Sequence, residues 1–488
     1  MFRRVLVANR GEIACRVMRT LRALGIDSVA VYHHEDRAAP HVHLADLAVQ
    51  IESEVPTAAY LDQQQLIMVA QRAGAQAIHP GYGFLSENAA FAAAVTHAGL
   101  AFVGPDAALI RLMGDKLRAR EFAVAHGVPV APSAVADDAA ALTARARDIG
   151  FPLLIKAAAG GGGKGMRIVR SAGELGESVA IAAAEAQRYF GDGRVYAERY
   201  IERPRHIEVQ ILGDGTGNVV HLFERECSLQ RRYPKIVEES PAPELAPQLR
   251  EALCAAAVRL ASAARYRNAG TVEFVLAPQG EFYFLEMNTR LQVEHPVTEF
   301  VTGVDLVAEQ LRIASGAGLR LRQGDLRVSG HAIECRICAE EPQHDFRPAT
   351  GRVGLLRAPA RAGLRFENGV SEGQAITPAF DSMLAKLVAH GATRTDAAAT
   401  LADALEELVL LGVPTNIDYL TRLLRSPAFL SGRLHTGFLA EHAAALAAVP
   451  APADEQAALL AALLAQPEFR RAAFEVPEPH ASIGSWRN

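Results

Sequence analysis

Residues 281–299 read EFYFLEMNTRLQVEHPVTE, and with the preceding Gly270–Leu276 they decide what the middle of this chain builds. Gly270–Leu276 and Glu281–Glu286 are strand-like runs about a turn at Ala277–Gly280, which predicts an antiparallel hairpin. Strand side chains alternate, so Glu286, Asn288, Arg290, Gln292 and Glu294 share one side for as far as the strand lasts. Leu285, Met287, Leu291 and Val293 share the other. Five polar groups in succession are too many for a solvated edge. Glu273 is expected about opposite residue 284, within diagonal reach of Glu286. Glu273, Glu286 and the Asn288 amide oxygen form a hard donor set, right for Mg²⁺ or Mn²⁺ and wrong for zinc. Arg290 and Gln292 present fork-shaped donors to a small planar oxyanion, and Glu294 stands beyond them as a candidate base.

Upstream, AAGGGGKGM (residues 158–166) follows an apolar strand at Phe151–Ala157. Unobstructed backbone N–H groups at Gly161, Gly162, Gly163 and Gly165 suit close approach by phosphate oxygens, with Lys164 above them. A Walker A loop would place Ser or Thr after that lysine, so a flexible glycine flap fits better. The chain holds only five lysines, Lys116, Lys156, Lys164, Lys235 and Lys386, against 45 arginines. Lysine kept so sparingly marks places where a guanidinium fork would not serve. Lys156 ends its strand and Lys116 closes MGDK, so both are candidates for the same phosphates. Glu198 in AERYI could meet an amino-purine beside an exposed backbone edge. ECSLQRRYPKI adds Gln230, Arg231, Arg232 and Lys235, with salt bridging to the hairpin carboxylates as the plain reading of its arginines; Arg336 in HAIECRICAE could reach this site only across a domain crevice. His206 and His331 read as satisfied side chains. There is no G-x-S-x-G and no HRD or DFG motif.

The chain's 488 residues are half hydrophobic and carry a formal charge of −5, which favours several domains and disfavours a strongly basic nucleic-acid binder. Residues 1–113 alternate strands and helices, as an open sheet with helices on both faces does. Residues 114–328 mix antiparallel strands with helices. Residues 329–446 combine short strands with helices at Asp396–Leu411 and around Tyr419. From 447 to 488, five prolines interrupt one alanine- and leucine-rich helix before SWRN, which reads as a linker-like tail. Cys335 and Cys338 have C-x-x-C spacing without a second pair and sit in an alternating strand, so they read as structural. No apolar stretch approaches the ~20 residues of a membrane span, and a cytoplasmic location is expected.

The order NRGEIACRV, HPGYGFLSEN, MGDK, IKAAAGGGGKGMRIV, ERYIERPRHIEVQ, ECSLQRR, EFYFLEMNTRLQVEHPVTE and GHAIECRICAE resembles biotin carboxylase, in the ATP-grasp superfamily. The resemblance implies an α/β and α+β multidomain fold. Its parts are a Rossmann-like preATP-grasp domain, an ATP-grasp core with a mobile lid at 132–203, and a mixed C-terminal domain. It implies that Lys116 and Lys156 bind ATP phosphates, that Glu198 and the Ile201 backbone hold adenine, and that His206 and Gln230 lie along the nucleotide. Two Mg²⁺ or Mn²⁺ ions would sit among Glu273, Glu286 and Asn288. Lys235, Arg290, Gln292 and the Val293 amide would hold bicarbonate, Glu294 would deprotonate it, and Arg336 would stabilise the biotin enolate. The implied reaction carboxylates biotin through carboxyphosphate, as the first half-reaction of an acyl-CoA carboxylase. Implied partners are a biotin carboxyl carrier domain or protein, a carboxyltransferase subunit and a second copy of the chain. No lysine has an A-M-K-M-like neighbourhood, so the biotin acceptor is expected on another chain or segment. Tyr233 and Pro234 depart from the polar residues that often follow QRR in relatives. Competing readings are another ATP-grasp ligase acting through an acyl-phosphate, and an ATP-binding regulatory module without turnover.

Overall fold

The computed structural model describes residues 1–136, 139–158, 166–231, 234–447 and 453–468. Two compact units divide the chain, Met1–Leu446 and Ala447–Asn488. In the second, Ala453–Ala465 is helical. None of the described helices is long and apolar enough to cross a membrane.

The larger unit opens with β1 (Arg4–Val7), β2 (Asp27–Tyr32), β3 (Leu47–Gln50), β4 (Ala77–His79) and β5 (Ala101–Phe102), all parallel in the order β3-β2-β1-β4-β5. The alternation of β1 explains the layers. Val5 and Val7 pack with Ile13 and Val17 of the helix Gly11–Ala23, while Leu6 packs with Leu66, Val69 and Phe91 on the other face. HPGYGFLSEN forms the loop expected of it, and the Asn88 side chain caps the helix Ala89–His97 by accepting the Phe91 N–H.

A four-stranded antiparallel sheet follows, β6 (Ser133–Val135), β7 (Leu153–Ala157), β8 (Arg167–Val169) and β9 (Val195–Arg199), in the order β6-β9-β7-β8. Its core, including Leu153, Ile155, Val179 and Ala197, is a separate cluster that includes the helix Leu175–Phe190.

The largest sheet has eight antiparallel strands. β10 (Arg205–Asp214), β11 (Val219–Gln230), β12 (Lys235–Ser240), β13 (Arg267–Leu276), β14 (Phe282–Asn288) and β15 (His331–Cys338) join the strands Met383–Gly391 and Leu364–Asn368. The pairing of β12 with β15, Val237 opposite Cys335, carries the sheet across the boundary expected near residue 328. That pairing covers an edge which would otherwise expose a row of unpaired backbone groups.

Three expectations need correction. β14 stops at Asn288, so Arg290, Gln292 and Glu294 stand on a turn and not on a strand face. Pro296 in the first turn of the helix His295–Thr302 ends the extended run and leaves Glu294 at the N-cap. Glu273 lies directly opposite Glu286 because the register shifts between Glu273 and Phe274, which faces Phe284. A β-bulge at Leu285 supplies the extra residue. The helix expected over 396–411 spans Arg394–Glu407, and Val409–Leu411 instead pairs with Leu355–Arg357. Cys335 and Cys338 are free and buried on β15, three residues apart and therefore on opposite faces.

Gly369 locks the C-terminal part of the sheet against the start of the helix Gly11–Ala23. A Cβ there would lie 2.5 Å from the Glu12 backbone N and 3.1 Å from the Gly11 Cα. Backbone cannot rotate away, so Gly369→Ala is expected to cost about 1–3 kcal/mol, read as a lower urea midpoint with an unchanged slope.

Candidate active site

The sequence sets a row of charges across four strands. Arg225 on β11 faces Glu208 on β10, Glu208 faces Glu273 on β13, and Glu273 faces Glu286 on β14. Arg225 and Glu208 are fully buried. The Arg225 guanidinium donates to Glu208 at 2.6 Å, Gln210 at 2.7 Å and Thr298 at 2.9 Å. Like charges directly opposite each other destabilise a sheet, so the three carboxylates need compensation. Lys116 pairs with Glu286, His206 Nε2 lies 2.9 Å from Glu273, and Lys235 reaches Glu208 at 2.6 Å and Glu273 at 3.3 Å.

A cavity of about 910 Å³ opens beside this row. Lys116, Lys156, His206, Gln230, Glu273 and Glu286 line it, as do Lys235, Arg290 and Arg336 and the segment Gln292–Glu294 with Asn288. The bulge turns Leu285 and Glu286, neighbours in sequence, both toward the cavity. Leu154, Ile168, Tyr196 and Val275 add apolar wall suited to a planar base. Glu198 stands behind the lining: it is buried, paired with Lys156 and 3.3 Å from Arg120. Ile201 is half-buried just past β9, between the lining residues Tyr200 and Glu202. Gln230 donates to His206 Nδ1 at 2.8 Å. Gly161, Gly162, Gly163, Lys164 and Gly165, together with Arg232 and Tyr233, lie outside the described residues.

On the turn after β14, side chains hold what the β-ladder no longer does. Asn288 and Gln292 each donate an amide N–H to Glu273, at 2.7 and 2.9 Å. Arg290 donates to Glu87 at 2.9 Å, to Gln292 Oε1 at 2.7 Å and to Asn288 Oδ1 at 3.1 Å. Glu294 accepts from Lys235 at 2.6 Å and from Arg336 at 3.0 Å, and Arg336 also donates to Glu238 at 2.6 Å. Arg336 reaches Glu294 from β15, which is paired to β12 in the same sheet, and so needs no domain crevice to cross, contrary to the sequence expectation.

Burial alone would raise the Glu273 and Glu294 pKa values. Lys235 and His206 outweigh it at Glu273, and Lys235, Arg336 and Arg225 at Glu294, so both carboxyls are held below the usual range. Burial would lower Lys235, but Cys227, Glu208, Glu273 and Glu294 raise it well above an ordinary lysine. Lys235 shares these three carboxylates with Arg225 at Glu208, His206 at Glu273 and Arg336 at Glu294, so the cluster is closely balanced in charge. Glu273, Glu286 and Asn288 line the cavity together, and their carboxylate and amide oxygens are a hard donor set that fits a divalent cation.

Sequence reasoning missed Glu208, Glu87, Glu238 and Arg225. Glu208 had a signal, because His206, Glu208 and Gln210 alternate with Ile207, Val209 and Ile211. Glu87 sat unremarked in HPGYGFLSEN. His331 is satisfied by Glu239 at 2.6 Å, as its plain reading had it, and Arg231 is salt-bridged to Glu340 at 2.8 and 2.9 Å and not to the hairpin carboxylates its plain reading named.

Three family models match the chain. Residues 1–110 match "Biotin carboxylase, N-terminal domain", 115–322 match "Carbamoyl-phosphate synthase L chain, ATP binding domain", and 334–441 match "Biotin carboxylase C-terminal domain". A biotin carboxylase of Nostoc sp. is 49% identical over 443 residues, covering 90% of this chain and 99% of that protein. The mitochondrial methylcrotonoyl-CoA carboxylase subunit alpha of Dictyostelium discoideum is 44% identical over 490 residues, covering 99% of this chain and 70% of that protein. Among solved structures, the biotin carboxylase domain dimer of Hydrogenobacter thermophilus 2-oxoglutarate carboxylase, in complex with MgADP, ADP and bicarbonate, superposes with a TM-score of 0.89. It is 44% identical and covers 92% of this chain and all of that one.

Depressed carboxyl pKa values make the site acid-sensitive. Such groups bind protons more readily in the unfolded chain, so their stabilisation is complete above the ordinary value of 4.5 and is lost as pH falls toward their native values. The urea midpoint should therefore fall from about pH 5 to about pH 3. Glu294→Gln should make that decline shallower.

Proposed function

We propose that this chain, which belongs to the biotin carboxylase family, carries out its reaction with Glu294 as base, Lys235 and Arg290 as bicarbonate clamp and Arg336 as enolate partner. The chain is an ATP-dependent ligase that carboxylates biotin with bicarbonate, uses ATP and Mg²⁺, and takes biotin as carboxyl acceptor. The observation that carries the assignment of roles is the meeting, in one cavity, of the acidic row and the Lys235–Glu294–Arg336 cluster.

Adenine lies against the apolar wall beside the Ile201 backbone, with Glu198 behind that wall bracing Lys156, and His206 and Gln230 lie along the nucleotide. Lys116 and Lys156 meet the phosphates. Glu273, Glu286 and Asn288 hold the divalent cations, which supply charge neutralisation at the phosphates. Lys235, Arg290, Gln292 and the Val293 N–H hold bicarbonate.

Bound only to cations, Glu294 is ionised but a weak base. An arriving bicarbonate competes for the N–H donors of Lys235, and biotin for those of Arg336. Each loss raises the basicity of Glu294 at the moment it is needed. Glu294 takes the bicarbonate proton, and the freed oxygen attacks the γ-phosphate and expels ADP. Carboxyphosphate breaks to CO₂ and phosphate, the phosphate takes the biotin N1′ proton, and Arg336 stabilises the enolate oxygen while N1′ attacks CO₂. Exclusion of water prevents wasteful hydrolysis of carboxyphosphate.

The named relatives support a place in a biotin-dependent carboxylase. We assign a biotin carboxyl carrier and a carboxyltransferase subunit as partners, a homodimer as the assembly and the cytoplasm as the location. The domains run 1–113, 114–328 with lid 132–203, and 329–446, with 447–488 as a linker-like tail.

The purified chain with Mg²⁺ should cleave ATP only when bicarbonate is present, and free biotin should accelerate it. Glu294→Gln should lower that rate by about 10²- to 10⁴-fold, with ATP binding retained in calorimetry. Turnover dependent on an amine or amino acid, or tight ATP binding without turnover, would refute the reading.

A further inference from the structure

Of the five lysines, Lys386 has no part in the reaction described above, yet it is fully buried. It stands on the strand Met383–Gly391 directly opposite Arg336 of β15, so the two side chains share one face of the sheet. Two cations side by side in the interior oppose folding, and a buried ammonium is costly unless it is met by strong acceptors. Each cation reaches the same turn. Arg336 grips the Glu294 carboxylate at 3.0 Å, and Lys386 Nζ donates to the Val293 carbonyl at 2.6 Å. Behind it, Lys386 Nζ lies 3.3 Å from Glu12, which accepts from the Tyr82 hydroxyl. Glu12 and Tyr82 belong to NRGEIACRV and HPGYGFLSEN, two motifs that the roles assigned so far do not use.

We infer that Lys386 is a positioning residue for the reaction, and that its ammonium fixes the Val293–Glu294 peptide and so aims both the bicarbonate-facing backbone and the base. The turn has left the β-ladder at Asn288, so no ladder hydrogen bond orients that peptide, although Lys235 and Arg336 hold the Glu294 carboxylate. The ammonium supplies the missing constraint. It is a point charge between a carbonyl and a carboxylate, a place where the planar fork of arginine has no match. Glu12 and Tyr82 hold it from the N-terminal parallel-sheet region, making the geometry of the turn depend on how that region is seated. This inference rests on the assignment of Glu294 as the base.

The test uses the full chain and bicarbonate-dependent ATP cleavage. Lys386→Met removes a charge-assisted hydrogen bond, so kcat/KM for bicarbonate should fall by about 10- to 100-fold. KM for ATP should stay within about twofold, because Lys116 and Lys156 are untouched. Glu12→Gln should shift bicarbonate in the same direction by less, and the double variant should lose less than the two single losses combined. A folded Lys386→Met protein with unchanged bicarbonate kinetics, or with ATP and bicarbonate affected alike, overturns the inference. If Lys386→Met fails to fold, Glu12→Gln decides by the same criterion. Wild-type protein lacking bicarbonate-dependent turnover would sink the functional reading and this inference with it. Wild-type turnover lost in Glu294→Gln but normal in Lys386→Met sinks this inference alone.

Discussion

The row Arg225, Glu208, Glu273, Glu286, one charge on each of four neighbouring strands, is the constraint to which the rest of the site answers. Three carboxylates in line would repel one another across the sheet, and two of them are almost wholly shielded from water. Lys235 meets Glu208 and Glu273 from β12, His206 meets Glu273 from β10, and Lys116 meets Glu286 from the start of its helix. A buried ion pair is weak evidence for stability, since an apolar replacement often serves as well. A row of them beside a cavity is explained by what it can bind.

The sequence made the strands of this row legible and left its alignment hidden. The strand-like runs about Ala277–Gly280 predicted the β13–β14 hairpin, and the hard-donor chemistry of Glu273, Glu286 and Asn288 could be read before any fold was known. The direct opposition of Glu273 and Glu286 depends on a one-residue bulge at Leu285, and nothing in EFYFLEM announces it. Glu208 was visible in principle within the alternating RHIEVQIL, and Arg225 faces it across the neighbouring strand of the same hairpin, whereas Glu238 acquires its partner Arg336 only through the pairing of β12 with β15. The end of β14 was misjudged because the period-two pattern of polar residues outlasts the strand; Pro296 was the available sign.

Lysine scarcity proved a sound guide for a physical reason. Lys116, Lys156, Lys235 and Lys386 each place a compact ammonium among carboxylates or a carbonyl at close range. Arginines elsewhere do what forks do: Arg231 spans both oxygens of Glu340, and Arg394 both of Glu239. Within the site, lysine and arginine share carboxylates, Lys235 with Arg225 on Glu208 and with Arg336 on Glu294, so lysine here supplies a compact point charge beside arginine forks.

The end of β14 divides the site into halves with different mechanics. Glu273 and Glu286 are fixed by the ladder of β13 and β14, so that part of the cavity wall shares the rigidity of the sheet. Arg290, Gln292 and Glu294 are fixed by side chains that can exchange partners, Glu87, Lys235 and Arg336 among them. A reaction that must bind an anion, deprotonate it and then release a smaller neutral product needs contacts that re-form at each stage. Placing that half on a turn, with its backbone tethered at the Val293 carbonyl, lets the side chains change partners while the main chain stays in place.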